Sequence, residues 1–203
     1  MKHKIYYLLA LTMLASSCKL DMVNPNAASD QQVLNTSAGI IALSIGIRQS
    51  YSTTGLSNIM VAPCVTAREI KGVATFTNVI ELEQGGSNIS TPNATVLAYW
   101  SSMQAVMAMC ESVIDNAPKV SGLDAGSLSG VMAQAYLFKA MSLAELAMAW
   151  EQADLYTSTT TPVQVVARDQ VFVKAISLLD SAVAEITATA PSTTFTTQVT
   201  GPD

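Results

Sequence analysis

Between residues 95 and 188 apolar side chains return every three or four positions, and that period admits helices packed against one another. Tyr99, Trp100, Met103, Val106, Met107, Cys110, Val113 and Ile114 form the first stripe, which Asn116-Ala-Pro118 ends. After the linker Ser121-Gly-Leu-Asp-Ala-Gly126, a second helix is predicted from about Ser127 to Trp150, on Val131, Ala135, Phe138, Met141, Leu143, Leu146 and Ala147. Residues 156–161 read as a polar turn, and Pro162 opens an extended piece, Val163-Gln-Val-Val166. A third helix, from about Asp169 to Ala188, carries Val171, Phe172, Ala175, Ile176, Leu179, Val183 and Ile186 on its apolar face, with Lys174, Asp180 and Glu185 elsewhere. Half of the residues are apolar and only 12% are charged, so these helices must cover one another. Abundant alanine lets backbones approach, and ten methionines can fill irregular gaps. Residues 131–150 are apolar enough to raise the question of a membrane span. Gln134, Lys139 and Glu145 argue instead for a buried helix, since an ionised group at the bilayer centre costs roughly 3 kcal/mol on insertion scales.

The preceding third is less regular. A helix is predicted from Thr36 or Ser37 as N-cap to about Tyr51, through Ile40, Ile41, Leu43, Ile45 and Ile47, with Gly55 as its stop. Residues 60–90 read as a long ordered loop region. The β-branched run from Val73 to Glu83 is compatible with a little strand there, though periodicity does not separate strand from helix. Gly85-Gly86 and Ser87-Asn88 close it. Asn35, Asn88 and Asn93 each begin an N-x-S/T triplet, a motif short enough to recur by chance. The tail after Pro191 is rich in threonine and ends on a turn-like Gly-Pro-Asp without a capping element.

The N-terminus has the layout of a secretory signal: basic Met-Lys-His-Lys, the apolar run from Ile5 to Leu14, then Ala15-Ser16-Ser17 before Cys18. The apolar run is too short for a helix across a ~30 Å hydrocarbon core. Leu-Ala-Ser-Ser-Cys resembles a bacterial lipobox, in which the cysteine is acylated and becomes the first mature residue. Residues 1–17 are thus expected to be a signal peptide, Cys18 a lipidation site, and residues 18–35, polar around Asn24-Pro25-Asn26, a lipidated tether. A helical domain follows over residues 36–203.

Composition narrows the chemistry. Lys2 and Lys4 are the leader's only charged side chains, so the mature chain keeps 8 basic and 15 acidic residues, a formal charge of −7. Dispersed negative charge makes a nucleic-acid partner unfavourable. The one histidine, His3, lies in the leader, which removes the usual Ser-His-Asp, Cys-His and His-zinc arrangements. Cys64 and Cys110 have no ligand spacing; two buried free thiols are the favoured expectation, a disulfide the alternative. No metal, cofactor or catalytic residue is expected. A carboxylate-paired glycosidase would need two acids about 5–10 Å apart across a cleft. Its candidates, Glu81, Glu83, Glu111 and Asp115, read as solvated helix or loop charges.

The order of segments carries a resemblance. Behind the lipobox come Cys18-x-Leu-Asp21, Asn24-Pro25 and Ser29-Asp30. Next is the helix that opens on Tyr99-Trp100 and closes on Asp115-Asn116-Ala-Pro118. The Ala-rich helix Ala133-x-Ala-Tyr-Leu-Phe-Lys-Ala-Met-x-Leu-Ala-Glu-Leu146 follows. Last is Arg168-Asp-Gln-Val-Phe-x-Lys-Ala-Ile-x-Leu-Leu-Asp180-Ser-Ala-Val183. This order resembles the N-terminal half of the SusD/RagB-like family of outer-membrane nutrient-binding lipoproteins, over about residues 14–190. The chain departs from the family where Leu137-Phe-Lys-Ala140 stands for Phe-Leu-Arg-Ala. It departs again where Trp150-Glu-Gln-Ala-Asp-Leu155 replaces a Tyr-Gly-Asp-Val-Pro-like loop.

The resemblance implies a mainly α fold of atypical tetratricopeptide-like helical-hairpin repeats, an α-α superhelix. In such a repeat Ala133, Ala140, Ala144 and Ala147 would allow close approach, and Tyr136, Phe138 and Leu143 would fill the next groove. It implies a cell-surface, lipid-anchored outer-membrane protein that binds oligosaccharide or similar polymer fragments beside a SusC-like TonB-dependent transporter. Family members are commonly more than twice this length, so the domain is expected to be incomplete at its C-terminus or a short relative. Trp100 and Trp150 lie on apolar helical patterns and read as core, and no ligand-binding residue is named. The alternative is a helical adaptor lipoprotein that docks a protein partner without glycan.

Overall fold

A computed structural model describes residues 33–73, 75–157 and 163–200. The leader, Cys18, Pro162, the final Gly-Pro-Asp and nearly all of the tether lie outside these residues. The architecture is mainly α. Helix α1 (Ser37–Ser50) runs through a π turn, Tyr51–Gly55, into α2 (Leu56–Thr66). Helix α3 (Thr77–Gln84) precedes the long α4 (Ala94–Asn116) and α5 (Ala125–Ala149). Strands β1 (Gln152–Asp154) and β2 (Val165–Ala167) pair antiparallel, Ala153 opposite Val166. Helix α6 (Arg168–Ala188) then leads into a single helical turn, α7 (Thr193–Phe195).

Local signals start the helices where they should. Thr36 caps α1, its hydroxyl accepting from the Gly39 N–H at 3.1 Å. Asn93 caps α4 through the amides of Thr95 and Val96, and Asp124 caps α5 through that of Ser127. The sequence places the starts of α4, α5 and α6 within two residues.

Side-chain contacts fix how the helices run. Tyr99 meets Glu145 and Glu111 meets Lys139, so α4 and α5 are antiparallel. Ser129 bonds the carbonyls of Glu185 and Thr189, so α5 and α6 are antiparallel as well. Gln134 donates to the Ser44 carbonyl and Tyr51 packs edge-on against Phe138, which sets α1 parallel to α5. Ile40, Ile47, Met103, Met107, Cys110, Val113, Val131, Leu143 and Leu146 are fully buried between these elements.

Two expectations fail, and one open choice is decided. Gly55 does not stop α1: it is helical at φ −60°, and a Cβ there would lie 3.1 Å from Met103 Cε, so this glycine serves close approach to α4. The stop comes at Arg68, whose φ of +63° lets the amides of Glu69 and Ile70 return to the Cys64 carbonyl. In the β-branched run, where periodicity left strand and helix open, the stretch from Thr77 is helical. It forms α3, with Leu82 in the core and the Asn78 side chain bonded to Thr95, so tertiary contacts override its propensity. On α6 the covered stripe is Val171, Ala175 and Leu178. Ile176, Leu179, Val183 and Ile186, expected to be buried, are 41–59% exposed. The helix carries two apolar stripes, and α5 covers one of them.

Of the residues expected to pack α5, Ala133, Ala140, Ala147 and Leu143 are buried, while Ala144, Tyr136 and Phe138 are half-buried. The sequence reading missed Gly126 and Gly130. A Cβ on Gly126 would sit 2.8 Å from the Ser192 amide, and one on Gly130 would sit 2.5 Å from the Phe195 ring. One turn apart, they form a slot for the segment after α6.

Candidate functional site

The tightest polar cluster joins α4, α5 and the β1–β2 connection. Lys139 Nζ lies 2.8 Å from Glu111 Oε1, with the two side chains 4% and 10% exposed. Both Glu111 oxygens accept from the Thr157 N–H, at 3.1 and 3.0 Å, and Oε2 accepts from the Thr157 hydroxyl. Lys139 Nζ sits 4.5 Å from the centre of the Tyr156 ring, and Lys174 approaches the same ring at 5.6 Å. The ammonium thus has a carboxylate and an aromatic face, and the carboxylate has three further hydrogen-bond donations from Thr157. The arrangement pins the start of the connection to the α4–α5 hairpin. Glu111 is therefore not the solvated charge expected of it. Its position one residue after Cys110 in a buried stripe, with Lys139 in the facing stripe, was the available signal.

Glu81 is likewise engaged. Its Oε2 accepts from the Ser90 hydroxyl at 2.6 Å and from the Asn93 side-chain amide at 2.8 Å, and these bonds hold its carboxyl below the ordinary carboxylate range. Asn93 is 4% exposed, so its triplet is structural. Asp115 is exposed, and Glu83 is half-buried beside Arg68 and Ile80. Cys64 and Cys110 are free thiols, as favoured from the sequence. Cys64 is half-buried, whereas burial pushes the Cys110 thiol up to about 12, with Lys139 pulling the other way. Among the described residues no group of His, Cys, Asp and Glu could hold a metal ion, and no helix is long and apolar enough to cross a membrane.

Two apolar concavities flank the hairpin. One, of about 750 Å³, lies between α2, α3 and the paired ends of α4 and α5. Its walls include Ile59, Met60, Leu82, Val96 and Met148, with Cys64 on one side. Thr66, Tyr99, Glu145 and Trp150 contribute the polar and aromatic groups. Tyr99 donates to Glu145 Oε2 at 2.9 Å; its own burial, then this bond, raises the phenol well above its usual range. The Trp150 ring meets that of Tyr99 at a tilt, centroids 4.9 Å apart, and that of Trp100 edge-on at 5.2 Å. Both tryptophans are half-buried against the core, and Trp150 also presents a surface to the groove. The second concavity, about 470 Å³, runs along the uncovered stripe of α6, where Leu179, Val183 and Ile186 face Leu137 and Phe138 of α5.

No family model matches this chain, and comparison with curated proteins and with solved structures gave no match.

Proposed function

We propose that the chain is the helical scaffold of a SusD/RagB-like surface lipoprotein. It is moored by lipid on Cys18 and docks a SusC-like TonB-dependent transporter of the outer membrane through repeat-type α-hairpins. The observation that carries this reading is the second apolar stripe of α6: Ile176, Leu179, Val183 and Ile186 are exposed along one face of a hairpin helix. Contiguous apolar surface of this kind marks a protein contact more often than a glycan platform. The ligand in this reading is an oligosaccharide or similar polymer fragment delivered to the transporter. The adaptor alternative, docking without glycan, draws support from the aromatic residues: the Trp150 ring is engaged by Tyr99 and, edge-on, by Trp100.

The test is affinity capture of the full lipoprotein from gently solubilised native outer membranes. A TonB-dependent transporter should be recovered with the unsubstituted chain and lost with Ile176→Asp/Val183→Asp, whose exposed positions leave the core intact. Equal recovery by both, or no transporter from either, overturns the docking reading. Retardation on glycan affinity gels favours the nutrient-binding form, and its absence favours the adaptor. An unmodified amino end by mass spectrometry overturns the lipid anchor.

A further inference from the structure

We propose that the groove between α2, α3 and the paired ends of α4 and α5 is a binding site for a small amphipathic cation, an ammonium carried on an apolar tail. This goes beyond the transporter reading and stands or falls separately from it. The groove's volume of about 750 Å³ lies inside the range of small-molecule sites. Its lining is overwhelmingly apolar, and Glu145 is its one carboxylate. That carboxylate is half-buried and held by Tyr99. Among the described residues it has no lysine or arginine partner: the ion pairs there are Lys139–Glu111 and Arg168–Glu151. The Tyr99 and Tyr51 phenols stand near it, and burial together with the neighbouring carboxylate raises both above the ordinary phenol value.

A tail filling the apolar walls would strip water from Glu145. A neutral headgroup can then add at most a hydrogen bond to the one from Tyr99 and an anionic headgroup is repelled, whereas an ammonium supplies the opposite charge together with donors. Trp150, in the same lining, adds an aromatic face that favours a cation. The hydrogen bond from Tyr99 fixes the carboxylate in place, so the charge is presented without further ordering. The groove offers few groups to bond the many hydroxyls of a sugar, so an oligosaccharide is not its occupant.

Three probes with one tail separate charge from greasiness: octylammonium, 1-octanol and octanoate. They are titrated into the chain without its leader, carrying Cys18→Ser, and followed by tryptophan fluorescence, since Trp100 and Trp150 are the only tryptophans. Octylammonium should bind at least about tenfold more tightly than 1-octanol, with octanoate weakest. Glu145→Gln, which keeps an acceptor for Tyr99, should bring the three within about threefold. Octylammonium should also slow alkylation of Cys64, in the groove wall, with the same half-saturation as the fluorescence change. This measurement needs no substitution in the groove, so together with the ranking of the three probes it decides the matter even if Glu145→Gln fails to fold. Equal binding of the three probes to the unsubstituted groove, no binding at all, or saturation that leaves Cys64 alkylation unchanged would each overturn the proposal.

Discussion

Replacing Lys139 with Met keeps the aliphatic stem and removes the charge that faces Glu111 inside the α4–α5 hairpin. The pair is 2.8 Å apart and almost wholly shielded from water. Breaking a buried pair from one side costs about 3–5 kcal/mol, against about 0–1 for an exposed one. Thr157 would go on donating its N–H and hydroxyl to Glu111, so Lys139→Met belongs near about 3 kcal/mol. Glu111→Leu strands the ammonium and also releases both Thr157 donors, which places it nearer about 5 kcal/mol. In the double variant no buried charge remains, and the residual cost is the loss of the Thr157 bonds, about 1–3 kcal/mol. The double variant should therefore be more stable than Glu111→Leu alone, with a coupling above about 2 kcal/mol. Urea denaturation followed by helical circular dichroism gives all four stabilities. Amide hydrogen exchange at Thr157 should quicken in Glu111→Leu and stay slower in Lys139→Met. Costs below about 1 kcal/mol for both single variants, or simple additivity in the double, would refute a desolvated pair at this position.

The two thiols should behave differently: under native conditions near pH 8 an alkylating reagent modifies Cys64, while Cys110, its thiol raised to about 12 by burial, reacts only on unfolding. Peptide mapping by mass spectrometry reads this directly. Gly130→Ala places a methyl 2.5 Å from the Phe195 ring and should cost about 1–3 kcal/mol in the same urea assay, with part of the cost disappearing in a Phe195→Ala background. Glu81 should titrate by NMR below the usual glutamate value of about 4.3. Its folded value is depressed, so the unfolded state takes up the proton first as pH falls. The contribution is thus complete above the unfolded value and lost as pH drops through the folded one, and Glu81→Gln should flatten that acid limb of the melting temperature.

Much of the helical scaffold was legible in the linear chain. The three-and-four spacing of Tyr99, Met103, Val106, Cys110 and Val113 gave α4, and similar patterns gave α5 and α6 within two residues at their starts. The candidate sites were far less so. Lys139 and Glu145 were visible as charges in an apolar helix, but their partners stand 28 and 46 residues earlier. Trp150 was expected in the core, and it does pack there, yet the same ring also lines a groove.

What the sequence determined alone is local: periodicity, caps and breakers act over a few residues, so Thr36 and the apolar stripes predict helices without knowledge of neighbours. What only the tertiary structure decided is which neighbour each face meets. Val79 and Ile80 became helical because α3 is anchored through Asn78 and Leu82. Gly55 stayed helical, packed close to Met103. Of the two apolar stripes on α6, α5 covers Val171, Ala175 and Leu178 and leaves Ile176 and Val183 to water. Hydrophobic burial depends on area removed from water and not on position in the chain, so only the register between packed helices could make that choice.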